Sequence, residues 1–153
     1  SLPYSKLDMQ KYTTREIVSK TIDMFPLKRK RIKVGNLIPE EQIYVDETKF
    51  TLALRNLLDN AIKYSPDNLE VELIIVKNDD IEFQVKDSGI GVSKENIQRL
   101  TEPFYQADQT ISTKGFGLGL TICKKIIEFH KGKLTIESEK GKGSCFVLHL
   151  PTN

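Results

Sequence analysis

Cysteine is scarce in this chain: 153 residues contain two, Cys123 and Cys145, and no C-x-x-C pair. That excludes a disulfide framework, and both thiols read as reduced core residues of a cytoplasmic domain. Histidine is equally scarce. His130 and His149 are the only imidazoles, and no Cys/His cluster has zinc spacing. No apolar run approaches about 18 residues and no signal-peptide pattern opens the sequence, so this segment is not expected to insert into a membrane, whatever a larger parent does. A charge excess is lacking too. Lys and Arg number 23 against 21 Asp and Glu, a net +2, which argues against nucleic acid as the main partner. The one dense basic run, Lys28-Arg29-Lys30-Arg31, is expected to close a helix, where cations suit the dipole.

What is present is an ordinary globular composition, 39% apolar and 29% charged, in a length that suits one domain. Residues 1–12, with Pro3 and mixed polarity, read as a linker, and residues 13–153 as the folded unit. Thr13 followed by Glu16 is a capping box opening a helix that carries Ile17, Thr21, Ile22 and Met24-Phe25 toward Pro26–Arg31. Ile32–Val34 and Ile43–Val45 read as short strands around a turn with Gly35, Asn36 and Pro39. Asp46 caps a second helix in which Phe50, Leu54, Leu57, Leu58 and Ala61 share a face, stopped by Ser65-Pro66-Asp67-Asn68. Leu69–Val76 and Ile81–Val85 read as a hairpin across Asn78-Asp79-Asp80, with Ile81, Phe83 and Val85 inward. Ser93 is placed to cap a short helix to about Leu100, and a polar loop runs from about Thr101 to Gly115. A last helix from about Gly117 to Phe129 precedes a closing hairpin, Leu134–Ser138 with Ser144–Leu150. Helices mixed with mostly antiparallel strand pairs imply a two-layer α/β sandwich.

Three segments bear on chemistry. In Asn56-Leu57-Leu58-Asp59-Asn60-Ala61-Ile62-Lys63-Tyr64-Ser65, residues Asn56, Asn60 and Lys63 form one polar stripe on the helix. A solvent-facing stripe would look the same, yet asparagine is a poor helix former, so periodicity leaves both readings open. Asp87-Ser88-Gly89-Ile90-Gly91 directly follows a strand. It fits a plain turn, and equally a carboxylate with glycines that let a flat ligand approach the backbone. Gly115-Phe116-Gly117-Leu118-Gly119-Leu120 opens a helix, where free N–H groups and the positive dipole end suit phosphate, or where the glycines simply form a hinge. Its spacing is neither the dinucleotide fingerprint nor a Walker loop.

Taken in order, the Asn-bearing helix, Asp-x-Gly-x-Gly, Glu102-Pro103-Phe104-Tyr105 and G-x-G-L-G-L resemble the histidine-kinase branch of the ATPase superfamily shared with gyrase, MutL and heat-shock chaperones. The likeness runs from about Asp46 to Pro151 and includes His130-Lys131-Gly132 and Gly141-Lys142-Gly143-Ser144. Lys131 departs from it, since the family often has a second glycine there. The resemblance implies a Bergerat-type fold, with about three helices on one face of a mixed, mostly antiparallel sheet and a flexible ATP lid spanning roughly Val92 to Lys114. It implies ATP and Mg²⁺ as ligands. Asn60 would hold Mg²⁺, and Asn56 would support the ion or the phosphates. Lys63 would neutralise phosphate charge, completing a catalytic set with the two asparagines. Tyr64 would pack on the nucleoside. Asp87 would read the adenine amino group, with Gly89, Ile90 and Gly91 shaping that pocket. Phe104 would anchor the lid, Lys114 would touch phosphate, and Gly115, Gly117 and Gly119, with Leu118 and Leu120, would wrap the phosphates.

The implied activity is transfer of a γ-phosphoryl group to a histidine on a separate dimerisation hairpin of the parent protein, which then serves a response regulator. Neither His130, at a helix end, nor His149, facing away from the core, suits the role of phospho-acceptor. Three rivals are a gyrase- or chaperone-like hydrolase, an anti-sigma-like serine kinase and a nucleotide-binding regulatory module without transfer. The hydrolase would need a general base where Asn56 stands, and Asp59 lies about 100° around the helix from Asn60.

Overall fold

The capping box at Thr13 is formed in full in the computed structural model, which describes residues 6–89, 116–139 and 141–152, with backbone alone for 116–119 and 139. The Thr13 hydroxyl accepts from the Glu16 N–H at 3.1 Å and the Glu16 carboxylate accepts from the Thr13 N–H at 2.7 Å. Such a cap contributes about 1 kcal/mol. It starts the helix Thr14–Ile22 (α1), which ends sooner than the apolar spacing suggests. Asp23 closes it, and Phe25 reaches the core through the following turn while Met24 is exposed.

The basic run forms a short 3₁₀ turn, Arg29–Arg31, rather than the end of α1. Arg31 nevertheless serves a helix terminus. Its guanidinium donates to the carbonyls of Pro66 and Leu69, both at 3.0 Å, beyond the second helix, Glu47–Tyr64 (α2). Asp46 caps the start of α2, its carboxylate accepting from the Lys49 N–H at 3.0 Å.

Seven strands complete the described fold. Met9–Thr13 (β1) pairs antiparallel with Gln42–Asp46 (β3). The other five are Ile32–Asn36 (β2), Val71–Lys77 (β4), Ile81–Asp87 (β5), Lys133–Glu139 (β6) and Gly143–Leu150 (β7), in the order β2-β4-β5-β7-β6. Only β2 and β4 run parallel. One expectation is corrected here: Met9–Tyr12 is strand rather than linker. The two short strands β2 and β3 flank a turn as expected, and each joins a different sheet. Alternation reveals a strand's faces but not its partner.

One face of the larger sheet carries the helices. Val71, Leu73 and Ile75 of β4, Phe83 and Val85 of β5 and Leu148 of β7 are all fully buried, against Ile17 of α1 and Phe50, Leu54 and Leu58 of α2. The third helix, Phe116–Phe129 (α3), adds Leu120, Cys123, Ile126 and Ile127, also fully buried. Phe50 meets Phe83 edge-on at 5.0 Å. Truncating such a ring to alanine costs about 3–5 kcal/mol. The opposite face carries Glu82, Gln84, Lys86, Thr135 and His149, all exposed or half-buried, which makes this the expected two-layer α/β sandwich.

Buried His130 ties α3 to α2. Its Nε2 accepts from the Asp46 N–H at 3.0 Å, and its Nδ1 lies 2.8 Å from the Ile126 carbonyl. Burial pushes its pKa down, keeping the ring neutral. No described helix is long and apolar enough to cross a membrane.

Candidate functional site

The last turns of α2, the end of β5 and the β6–β7 turn converge, and Gly89 is where they meet. A Cβ on Gly89 would lie 2.5 Å from the Tyr64 carbonyl oxygen and 3.1 Å from Asp87 Oδ1, so only glycine fits between α2 and the strand end. Tyr64 follows Asn60 by one helical turn, which brings Asn60 and Asp87 to the same end of the fold. An open cavity of about 480 Å³ lies there, lined by Lys63, Tyr64, Ser65, Ser88, Gly89 and Gly141 among others. That size is typical of small-ligand sites.

Asp87 ends β5 with its carboxylate largely enclosed. Oδ1 accepts the N–H groups of Gly89 at 2.8 Å and Ser144 at 3.2 Å. Burial pushes its pKa above the ordinary carboxylate value, and the two N–H donors pull against that. Oδ2 has no hydrogen-bond partner among the described residues, so one acceptor is left to face a ligand. Gly143 makes this possible. Its φ is +95°, and a Cβ there would stand 2.2 Å from the Asp87 carbonyl oxygen. Gly143 and Ser144 were not among the residues singled out for the site. The register pairing Asp87 with Ser144 places them in it, and the Gly141-Lys142-Gly143-Ser144 run in the sequence was the available signal.

On α2 the polar stripe is buried at its centre and open at its end. Asn60 is 8% exposed, and its Nδ2 is buried without a hydrogen-bond partner among the described residues; the same holds for Ser65 Oγ at the helix C-cap. Each orphaned group costs about 1–3 kcal/mol, a sum that a solubility stripe would not carry. Asn56 is half-buried and its Oδ1 accepts from Arg55 at 3.1 Å. Lys63 is exposed, with its ammonium 2.9 Å from Asp59. A surface pair at that spacing contributes only about 0.3–0.5 kcal/mol, so Lys63 can turn to another anion at little cost. Tyr64 is half-buried, and burial raises its pKa.

The other expectations divide. Gly117, Leu118 and Gly119 lie in the first turn of α3, while Leu120 is fully buried and serves the core. Ile90, Gly91, Phe104, Lys114, Gly115 and the expected lid and Ser93 helix lie outside the described residues. Cys123 is inert, buried against the Ala53 carbonyl with its thiol pushed up to about 12 by burial. Cys145 is half-buried on the helix-free face rather than in the core.

The family profile described as histidine kinase-, DNA gyrase B- and HSP90-like ATPase matches residues 45–153. Among curated relatives, the adaptive-response sensory kinase SasA of Crocosphaera subtropica is 34% identical over 142 residues, covering 90% of this chain and 37% of its own. The sensor histidine kinase WalK of Bacillus subtilis is 34% identical over 165 residues, covering 98% of this chain and 27% of its own. The chain thus spans between about a quarter and little more than a third of the length of these relatives. Among solved structures, the catalytic domain of the histidine kinase ThkA superposes with a TM-score of 0.80 at 25% identity, covering 95% of this chain and 98% of that one.

Proposed function

This chain belongs to the histidine kinase-, DNA gyrase B- and HSP90-like ATPase family, and on that premise we propose that it is the ATP-binding catalytic domain of a cytoplasmic sensor-kinase segment. It transfers the γ-phosphoryl group of Mg-ATP to a histidine on a separate helical hairpin of its parent, which passes the group to a response regulator. The observation that carries the reading is Asp87, with Oδ1 filled by two backbone N–H groups, Oδ2 without a partner among the described residues, and Gly89 two residues on packed against Tyr64. A carboxylate held this way accepts a hydrogen bond and cannot donate one when ionised. Adenine offers an amino N–H where guanine offers a carbonyl oxygen, so Asp87 selects adenine.

The buried Asn60 amide suits a hard cation. Mg²⁺ takes oxygen ligands and retains most of its water and phosphate shell, so one amide is a sufficient protein contribution. The amide turns by half a rotation without change of shape, presenting its oxygen where Nδ2 has no partner. When bound, Mg²⁺ neutralises charge on the triphosphate. Asn56 supports the same group, its amide oriented by Arg55. Lys63 leaves Asp59 for the phosphates, and the N-terminal turn of α3 presents backbone N–H groups to them. Catalysis is then mainly positioning and charge neutralisation. No carboxylate on the Asn60 side of α2 is placed as a base for water: Asn56 is an amide, and Asp59 lies about 100° around the helix from Asn60. Hydrolysis by the isolated chain should be slow.

The test is calorimetric titration with ATP, with and without Mg²⁺, followed by phosphotransfer to a supplied hairpin. Asn60→Ala should remove the Mg²⁺-dependent part of the affinity and leave the fold intact. Binding without transfer to any hairpin would favour a regulatory module, and rapid turnover of ATP would favour a hydrolase. Equal affinity with and without metal in the unmodified chain would end the role given to Asn60.

A further inference from the structure

The far end of β5 carries a second cluster that the nucleotide site does not use. Asp80, Glu82 and His149 each bring one ligating atom to within 4.8 Å of the other two. Glu82 and His149 face each other directly across β5 and β7, and Asp80 precedes Glu82 at the β4–β5 turn. Glu82 is five residues from Asp87, about 17 Å along the strand. The cluster is on the helix-free face of the sheet, since Ile81 and Phe83 point the other way into the core.

We propose that Asp80, Glu82 and His149 form a binding site for a divalent transition cation, with Zn²⁺ the best fit. His149 Nδ1 stands 3.1 Å from Asp80 Oδ2 and 4.0 Å from Glu82 Oε2. Tetrahedral zinc with ligand bonds of about 2.0–2.2 Å sets its ligand atoms about 3.4 Å apart. The two separations bracket that value, and all three ligating atoms lie within 4.8 Å of one another. One hydrogen bond to Asp80 would satisfy a protonated ring. Glu82 stands 4.0 Å from the same nitrogen, too far to hydrogen-bond the ring and at a distance that suits a shared cation.

The surroundings are those of a held ligand set. The ring's other nitrogen, Nε2, is 2.7 Å from Thr135 Oγ1, which fixes its orientation with Nδ1 toward the carboxylates. Glu82 is held on both oxygens, by Asn78 at 2.9 Å and Gln84 at 2.8 Å. Each oxygen keeps a further lone pair. Beside the cluster an open cavity of about 360 Å³, lined by Asp80, His149, Lys131 and Lys133 among others, has room for a water as fourth ligand. Neither lysine forms an ion pair with Asp80 or Glu82 among the described residues. One imidazole with two carboxylates favours Zn²⁺ over Mg²⁺ or Ca²⁺, which prefer all-oxygen shells. A cation here clips the β4–β5 turn to β7, and through Thr135 to β6.

The experiment is a Zn²⁺ titration of the untagged, nucleotide-free chain by calorimetry, with thermal melts in parallel. We expect one Zn²⁺ per chain, a Kd in the micromolar range and a higher melting temperature, with excess Mg²⁺ unable to displace the ion. His149→Ala and Glu82→Gln should each weaken binding about tenfold or more, while Cys145→Ser and Asp87→Asn leave it unchanged. If His149→Ala fails to fold by circular dichroism, Asp80→Asn and Glu82→Gln carry the test. No saturable uptake, an affinity indifferent to these ligand substitutions, loss in Cys145→Ser, or displacement by Mg²⁺ would each overturn the site.

Discussion

Strand β5 ends in a carboxylate environment at both termini, and the two are opposite in character. At its C-terminal end Asp87 is enclosed, and burial raises its pKa against the pull of Gly89 and Ser144. Near its N-terminal end Glu82 lies on the open face, and the donors Asn78 and Gln84 hold its pKa below the ordinary value, with burial opposing and His149 adding to the effect. The difference lies in what surrounds the oxygens. Backbone N–H groups satisfy one oxygen of Asp87 and leave the other for a ligand, at a cost in desolvation. Side chains satisfy both oxygens of Glu82, which makes it a brace for the sheet surface.

The largest effect should come from filling the space that shapes the Asp87 end. Gly143→Ala combines φ +95° with a Cβ 2.2 Å from the Asp87 carbonyl, and should destabilise the fold by about 3 kcal/mol. Gly141, with φ +87° and nothing within 4 Å, is the control; Gly141→Ala should cost only about 1 kcal/mol. Urea denaturation measures both, and equal losses would show that steric closeness to Asp87 is irrelevant. Gly143→Ala should also lose ATP affinity more than Gly141→Ala does.

Asp87→Asn should lower the preference for ATP over GTP by about tenfold or more, read from competition binding. Asparagine still offers an oxygen to Gly89 and Ser144 but presents N–H₂ outward. Stability should move the other way. A carboxyl whose folded pKa is raised stabilises the fold below its unfolded value, and that contribution is lost as pH rises through the folded value. At neutral pH the charged, enclosed Asp87 therefore costs stability, and Asp87→Asn should be as stable as the parent or slightly more so. An unchanged nucleotide preference would remove Asp87 from the site.

Much of this was legible in the residues. The Thr13–Glu16 box, the Asp46 cap and the alternation of Ile81, Phe83 and Val85 each specify a local structure through local hydrogen bonds or a face, and each formed. Pairing was not legible. Nothing in Ile32–Val34 or Ile43–Val45 announces that β2 will run parallel to β4 while β3 joins β1, because alternation marks a strand's faces and not its partner. At the site, spacing suggested the Asn56–Asn60–Lys63 stripe but could not reveal that Asn60 is buried and its Nδ2 lacks a partner among the described residues. It could not show Ser144 as a donor to Asp87 either, since 57 residues separate them. The stripe likewise gave no sign of the Lys63–Asp59 pair, although the two stand at a favourable i, i+4 spacing.

A smaller effect should appear at the other end of β5. A carboxyl whose folded pKa is lowered stabilises the fold above its unfolded value, and the contribution is lost as pH falls through the folded value. Glu82→Gln should therefore flatten the acid limb of the stability curve below about pH 4.5 and cost only about 0.5 kcal/mol at neutral pH in metal-free buffer. Denaturant melts at several pH values measure this. A steeper acid limb in the variant would reverse the contrast between Glu82 and Asp87.

The smallest effect is a gain, and it tests whether local backbone strain near the Glu82 end is independent of its carboxylates. Helix α3 finishes with Gly132 N–H bonded to the Ile127 carbonyl at 2.8 Å and Lys131 N–H to that of Glu128 at 2.9 Å, the paired closure of a Schellman turn. That turn needs a left-handed residue, and Lys131 supplies it with φ +63°. Gly132 cannot exchange roles with it, because a Cβ there would lie 2.0 Å from the His149 carbonyl oxygen. Lys131→Gly relieves the strain without disturbing this contact, and should raise stability by about 0.5–1 kcal/mol despite the added freedom of the unfolded chain. Lys131→Ala keeps a Cβ at the same dihedral and removes the same charge, so it should give no such gain. If alanine stabilises as much as glycine, the relevant property of Lys131 is its charge beside Asp80 and His149, and the backbone account of this turn fails.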